Sequence, residues 1–313
     1  MPIQFPPPLR PGQRVALVGT ARKTTAAELA PALATLAAWG LEAVLGETIN
    51  AEAHQFAGPD DLRRRDFQRQ LDDPTIAAIL CVRGGYGTAR FVDDLDFTAF
   101  AQHPKWVVGF SDITVLHCHL LRRGWASLHG VMPFVFRQPG GAMALETLRA
   151  ALFGEAAAPL LAPPHPLNRP GTATGALVGG NLSLLHTLTG TASQASFAGR
   201  ILFLEDLDEY RYHLDRMLLH LHRSGQLAGV AGLAVGHFSA MRDNAVPFGA
   251  EAYEIIAHYA ESYDFPVGYG FAIGHEAANA AVVVGQAMRL QVQENGGELA
   301  VTNNFVDTTK LFV

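Results

Sequence analysis

The sequence predicts an α/β protein: an N-terminal domain built on a parallel sheet, then a smaller mixed α/β domain. Three observations carry that prediction. Short apolar runs alternate with helical patterns over roughly the first 130 residues. A Pro-, Ala- and Gly-rich stretch interrupts the alternation at 138–172. Beyond it strands and helices mix less regularly and end in a strand-rich tail. The division is therefore 1–137, a linker at 138–172, and 173–313. With 313 residues, 49% of them hydrophobic, the chain is long enough for each part to bury a core.

The elements read in order as follows. RVALVGT (14–20) is a short apolar strand ending in Gly. TAAELAPALATLAAWG (25–40) is a helix with Gly40 as its C-cap. LEAVLGE (41–47) is a second strand. DDLRRRDFQRQLDD (60–73) is an amphipathic helix that turns Leu62, Phe67 and Leu71 inward. Its Arg63-Arg64-Arg65 run, flanked by acids, reads as a solvated face. TIAAILCVRGG (75–85) is an apolar strand, 89–103 is helical or irregular, KWVVGF (105–110) is a strand, and ITVLHCHLLRRG (113–124) is a helix. The linker holds one short helix. After it come TGALVGGNLSLLHTLTG, the strand RILFLED (200–206), the helix YHLDRMLLHLHRSG (212–225), the strand VAGLAVGHFS (230–239), a helix near 249–262, and strands through 266–293.

Composition excludes several classes. There are 23 basic and 29 acidic residues, a net charge of −6, and no long basic run, so nucleic acid is not an expected partner. No apolar stretch reaches the ~18 residues of a membrane span, and the first residues lack the pattern of a secretory signal. Cys81 and Cys118 both sit in apolar surroundings and read as buried thiols of a reducing compartment. The expectation is a cytoplasmic protein that does not engage membranes.

In parallel sheets ligands collect at the carboxyl ends of the strands. Here those ends are Gly19-Thr20, Arg83-Gly84-Gly85-Tyr86-Gly87 and Gly109-Phe110-Ser111-Asp112. The glycine turn lacks both G-x-x-x-x-G-K-[ST] and G-x-G-x-x-G. It reads either as a tight turn or as a source of inward-pointing N–H groups for an oxyanion hole. Ser111 and Asp112 read either as helix caps or as the turn of a nucleophile elbow, although Ile113 stands where the elbow's second glycine belongs. His117 and His119, like His220 and His222, are two apart on helices and point different ways, which argues against a metal site. A serine nucleophile needs a base and an orienting acid. Glu205-Asp206 and Gly274-His275, each at the end of an apolar strand, offer them.

The series RGGYG, VGFSDIT, GGNLSLL, LFLEDLDEYRYHLDRML and GHEAANAAVVVG resembles the motif series of the LD-carboxypeptidases. That serine peptidase family includes muramoyltetrapeptide carboxypeptidase and is related to the microcin self-immunity peptidases. The resemblance runs in order from about residue 12 to 308. It implies a Ser–Glu–His triad of Ser111, Glu205 and His275, with the nucleophile on the first domain and its partners on the second. Glu205 is preferred to Asp206 and Glu209 because the family's acid directly follows the apolar strand. The resemblance further implies that backbone N–H groups of Asp112 and Gly85 hold the oxyanion. The substrate is expected to be a murein tetrapeptide that loses its terminal D-alanine, and neither metal nor cofactor is needed. A homodimer is implied as well. Arg83, Tyr86 and Asn181 are candidate substrate contacts, with a structural ion pair for Arg83 and a turn for Asn181 as the alternatives. Related enzymes that cleave a peptide–nucleotide amide need an aromatic shelf, and APPHPLNRPGTATG (162–175) contains no Trp, Tyr or Phe. The motifs depart from the family at Val131 and Val283, where Pro is expected.

Overall fold

The computed structural model describes residues 2–302; the end of the 173–313 segment, 303–313, lies outside the described residues. In chain order the strands are β1 (Arg14–Val18), β2 (Glu42–Leu45), β3 (Ile76–Cys81), β4 (Trp106–Gly109), β5 (Ser127–His129), β6 (Leu160–Ala162) and β7 (Gly171–Asn181). They continue with β8 (Ile201–Leu207), β9 (Gly232–Ser239), β10 (Val267–Tyr269), β11 (Val282–Val284), β12 (Ala287–Gln293) and β13 (Gly296–Val301). The helices are α1 (Ala30–Ala38), α2 (Asp60–Asp72), α3 (Thr98–Gln102), α4 (Thr114–Arg122), α5 (Ala142–Phe153), α6 (Leu182–Thr187), α7 (Arg211–Arg223) and α8 (Ala252–Ala260).

The first sheet runs β11-β5-β4-β3-β1-β2, parallel from β5 to β2. Its central strands are buried on both faces, which is why they read as unbroken apolar runs. Strand order reverses between β1 and β3, so the loops after these two strands diverge and leave a crevice at their carboxyl ends. The second sheet runs β10-β9-β8-β7-β12-β13-β6. Strands β7 to β10 are parallel, and β12, β13 and β6 are antiparallel. This is the mixed α/β architecture that the sequence predicts. One apolar core runs through both halves, with Val107 and Leu116 in the same cluster as Leu177 and Leu204.

Three sequence expectations need correction. The stretch 138–172 holds the expected helix, α5, which buries Ala144, Leu148 and Leu152, but it also carries β6, at the edge of the second sheet. The chain also does not stay in its second half: β11 returns to pair antiparallel with β5, closing what would be an open edge. Val283 sits mid-strand opposite Leu128, on the edge strand of the first sheet. Finally, Arg63 is not solvated but fully buried. Its guanidinium donates to the Thr20 carbonyl at 2.5 Å and to the Asp60 carboxylate, and packs against Phe56 and Phe91. Only Arg64 and Arg65 form surface pairs, both with Asp61.

Candidate active site

Ser111 follows β4 with φ of +61°, a left-handed conformation that is costly for a residue with a side chain. Neither Ser111 nor Asp112 caps a helix. The N-cap of α4 is Ile113, without a side-chain hydrogen bond. The turn thus has the strained geometry of a nucleophile elbow without the second glycine. Gly109 supplies the missing room: a Cβ there would lie 2.6 Å from the Ile113 side chain.

The glycine turn after β3 lies directly against Ser111. A Cβ on Gly84 would sit 3.2 Å from the Ser111 Cβ and 3.4 Å from its Oγ. The N–H of Gly85 finds no acceptor among the described residues. Two buried side chains tie this turn to its surroundings. The Asp112 carboxylate accepts the Thr88 N–H at 3.0 Å, and Arg63 lies under Gly87. Burial raises the pKa of the Asp112 carboxyl against these hydrogen bonds.

From the second half, β8 carries Glu205 and Asp206 near its carboxyl end, both buried. Glu205 Oε2 and His275 Nδ1 are 2.6 Å apart, a charge-assisted pair when the imidazole is protonated. Burial pulls the His275 pKa down, but the Glu205 charge and hydrogen bond, with Asp206 and Glu276 behind them, outweigh it. The net result is a pKa above the usual histidine value. The His275 ring lies 4.8 Å, centroid to centroid, from that of Phe110, the neighbour of Ser111. Ser111 and His275 are not hydrogen-bonded to each other in this structure, as is common in unliganded sites of this kind. Asp206 accepts from Asn181 Nδ2, from the Ser183 N–H and hydroxyl and from its neighbour's N–H; burial, then the Glu205 charge, push its pKa up to about 6.

The two halves lock together beside the site. The Asn181 N–H donates to Thr114 Oγ1 at 3.0 Å. Gly180 approaches Thr114 so closely that a Cβ would lie 2.4 Å from that oxygen.

The structure brings Ser111, Gly84, Gly85, Asp112, Glu205 and His275 into one region and gives the remaining predicted residues other surroundings. Asn181 has both polar ends committed: its amide donates to Asp206 at 2.8 Å and its carbonyl caps α6. The Arg83 guanidinium lies 3.8 Å over the Phe134 ring and donates to the Lys23 carbonyl. Tyr86 is half exposed beside Phe56. His117 is a core histidine, held by Ser127 and the Gly109 carbonyl at 2.8 Å each. His119 is held by Ser193. Among the described residues no group of three or more His, Cys, Asp or Glu side chains is placed to hold a metal ion. Sequence reasoning missed Arg63 as a support of the turn; its signal was a lone cation on the Phe67 and Leu71 face of α2.

A hydroxyl on a strained turn, a free N–H beside it and an imidazole backed by a buried carboxylate are parts that acyl transfer needs. Comparison with known proteins points the same way. Residues 15–130 match the LD-carboxypeptidase N-terminal domain, and 174–290 match the LD-carboxypeptidase C-terminal domain. The chain is 34% identical over 299 residues to a probable murein peptide carboxypeptidase of Bacillus subtilis, covering 92% of each chain. It is 31% identical over 287 residues to a murein tetrapeptide carboxypeptidase of Pseudomonas aeruginosa, covering 89% of this chain and 93% of that one. The crystal structure of muramoyltetrapeptide carboxypeptidase from Oxalobacter formigenes superposes with a TM-score of 0.83 at 28% identity, over 92% of this chain and 98% of that one.

Proposed function

The chain belongs to the LD-carboxypeptidase family, and from that premise we propose that it is a serine-type carboxypeptidase releasing the terminal D-alanine of murein tetrapeptide. In this reading neutral His275 takes the proton of Ser111 Oγ as the oxygen attacks the carbonyl carbon of the L,D-amide. Glu205 fixes the imidazole tautomer through Nδ1 and stabilises the imidazolium that forms. The oxyanion is received by the N–H groups of Gly85 and Asp112. His275 then returns the proton to the departing D-alanine nitrogen. Water, activated by the same imidazole, hydrolyses the ester on Ser111 and frees the tripeptide.

The observation that carries the reading is the pairing of Glu205 with His275 opposite a serine held at φ +61°. The murein peptide as substrate rests on the named relatives and on a 162–175 segment without an aromatic residue. A homodimer working in the cytoplasm on peptides recovered from the cell wall belongs to the same reading. Two buried free cysteines, and the absence among the described residues of any helix long and apolar enough to cross a membrane, support that setting.

The test is D-alanine release from tetrapeptide by the wild type and by Ser111→Ala. The variant is expected to lose at least about 10⁴-fold in kcat while its unfolding midpoint stays put. Normal turnover by Ser111→Ala would overturn the assignment.

A further inference from the structure

We infer that Arg22 is the receptor for the free terminal carboxylate of the peptide substrate. This rests on the function proposed above, since only an exopeptidase must recognise a free chain end beside its nucleophile.

Arg22 lies in the loop after β1 and the glycine turn in the loop after β3, on the two sides of the crevice where strand order reverses. The loops touch. The Arg22 N–H donates to the Gly84 carbonyl at 3.3 Å. The Arg22 side chain runs across Gly85, with Cγ, Cδ and Nε 2.7 to 2.8 Å from where a Cβ would stand. Gly85 is at φ +118° and has no side chain, so nothing holds the stem away from the turn. The neighbouring Gly84 abuts Ser111. The guanidinium stem is thus separated from the nucleophile by the width of two glycines.

The nearby cations are otherwise engaged. Lys23 pairs with Glu52 at 2.5 Å, Arg90 with Asp60 at 2.7 Å, and Arg83 stacks on Phe134. Arg22 is exposed, and no carboxylate among the described residues lies within ion-pair distance of it. A guanidinium offers two parallel N–H groups to a carboxylate, a match that an ammonium lacks. On the other side of the nucleophile, the second half gathers the negative groups Glu205, Asp206 and Glu276 around His275. A substrate carboxylate is repelled from that side and drawn to Arg22. Arg22, and not Arg83, therefore fits the role of the carboxylate contact.

The experiment compares tetrapeptide ending in D-alanine with the same peptide ending in D-alaninamide, using wild type, R22Q and R22K. Wild type is expected to prefer the free acid. R22Q should lose about ten- to thirtyfold in kcat/KM on the acid, through KM, and stay within about twofold on the amide. R22K should recover part of the loss, and thermal unfolding of both variants should match wild type because the side chain is exposed. R22Q that keeps the wild-type preference for the acid overturns the inference and leaves the function standing. A loss that appears with diaminopimelate at the third position but not with lysine overturns it too, because Arg22 then reads that side chain's carboxylate. No D-alanine release by wild type overturns function and inference together.

Discussion

The two halves of the molecule bring different materials to the same site. The first half contributes backbone shape: Ser111 at φ +61°, the free N–H of Gly85, and a turn pinned from beneath by Asp112 and Arg63. The second half contributes buried charge: Glu205 and Asp206 near the carboxyl end of β8, with His275 against Glu205. Damage to the first half should therefore appear as lost stability or lost geometry. Damage to the second should appear in the pH dependence. The sharpest test of that contrast is Glu205→Gln. On the proposed mechanism it lowers kcat by about 10³- to 10⁴-fold, because glutamine neither stabilises the imidazolium nor enforces the tautomer. It also moves the acid limb of kcat/KM. The Glu205 charge holds the His275 pKa above its usual value, and the base must be neutral to act. Wild type therefore loses activity as pH falls through that raised pKa. Without the charge, burial dominates and the limb moves to lower pH. A limb that stays in place would break the contrast at its strongest point.

The next largest effect belongs to the first half. Arg63→Met removes a fully buried cation, strands the Thr20 carbonyl and leaves Asp60 to Arg90 alone. Leaving a buried acceptor unsatisfied costs about 1 to 3 kcal/mol, and Asp60, partly exposed and still held by Arg90, adds little to that. Urea unfolding should show a fall of about 2 kcal/mol, with the acid limb of kcat/KM in the same place as in wild type. A moved limb with unchanged stability would reverse the roles given to the two halves.

The two halves were also unequally legible in the sequence. β1, β3 and β4 are buried on both faces and announce themselves as apolar runs. Their carboxyl ends, and with them the Ser111 turn, follow directly. β11 does not announce itself. VVV reads as more of the strand-rich tail, and nothing local says that it pairs with β5, some 150 residues earlier, to close an edge. β6 is short and half exposed, too weak a pattern to stand out from a Pro-rich stretch. Arg63 misled because charge runs are read by their neighbours. Its burial depends on a carbonyl from another strand end and on two aromatic rings outside its own helix. Asn181 was visible as a turn residue, but its commitment to Asp206 depends on the parallel register of β7 and β8. Arg22 has no signature at all, since its position over Gly85 arises only when the loops after β1 and β3 meet.

The smallest effect probes the second half without touching its proposed catalytic pair. Asp206→Asn keeps an acceptor for Asn181 and for the Leu207 N–H, but turns an N–H₂ toward the Ser183 N–H. Because Asp206 also helps hold up the His275 pKa, removing its charge should move the acid limb of kcat/KM down, by less than Glu205→Gln does. Stability adds a second sign. Burial and the neighbouring Glu205 raise the folded-state pKa of Asp206 to about 6, above the unfolded value. The folded protein therefore takes up this proton first as pH falls, so this group's contribution to wild-type stability grows between about pH 7 and pH 4. Above that window the buried charge weighs against folding. The asparagine variant has no such proton. At pH 8 the relief of charge repulsion offsets the roughly 1 kcal/mol cost of the lost Ser183 contact, and at pH 5 it offsets less. Urea unfolding at the two pH values should therefore show the variant falling further behind wild type at pH 5. A gap that is the same at both would mean that Asp206 serves this half through hydrogen bonds alone, and that its charge is not part of the difference between the two halves.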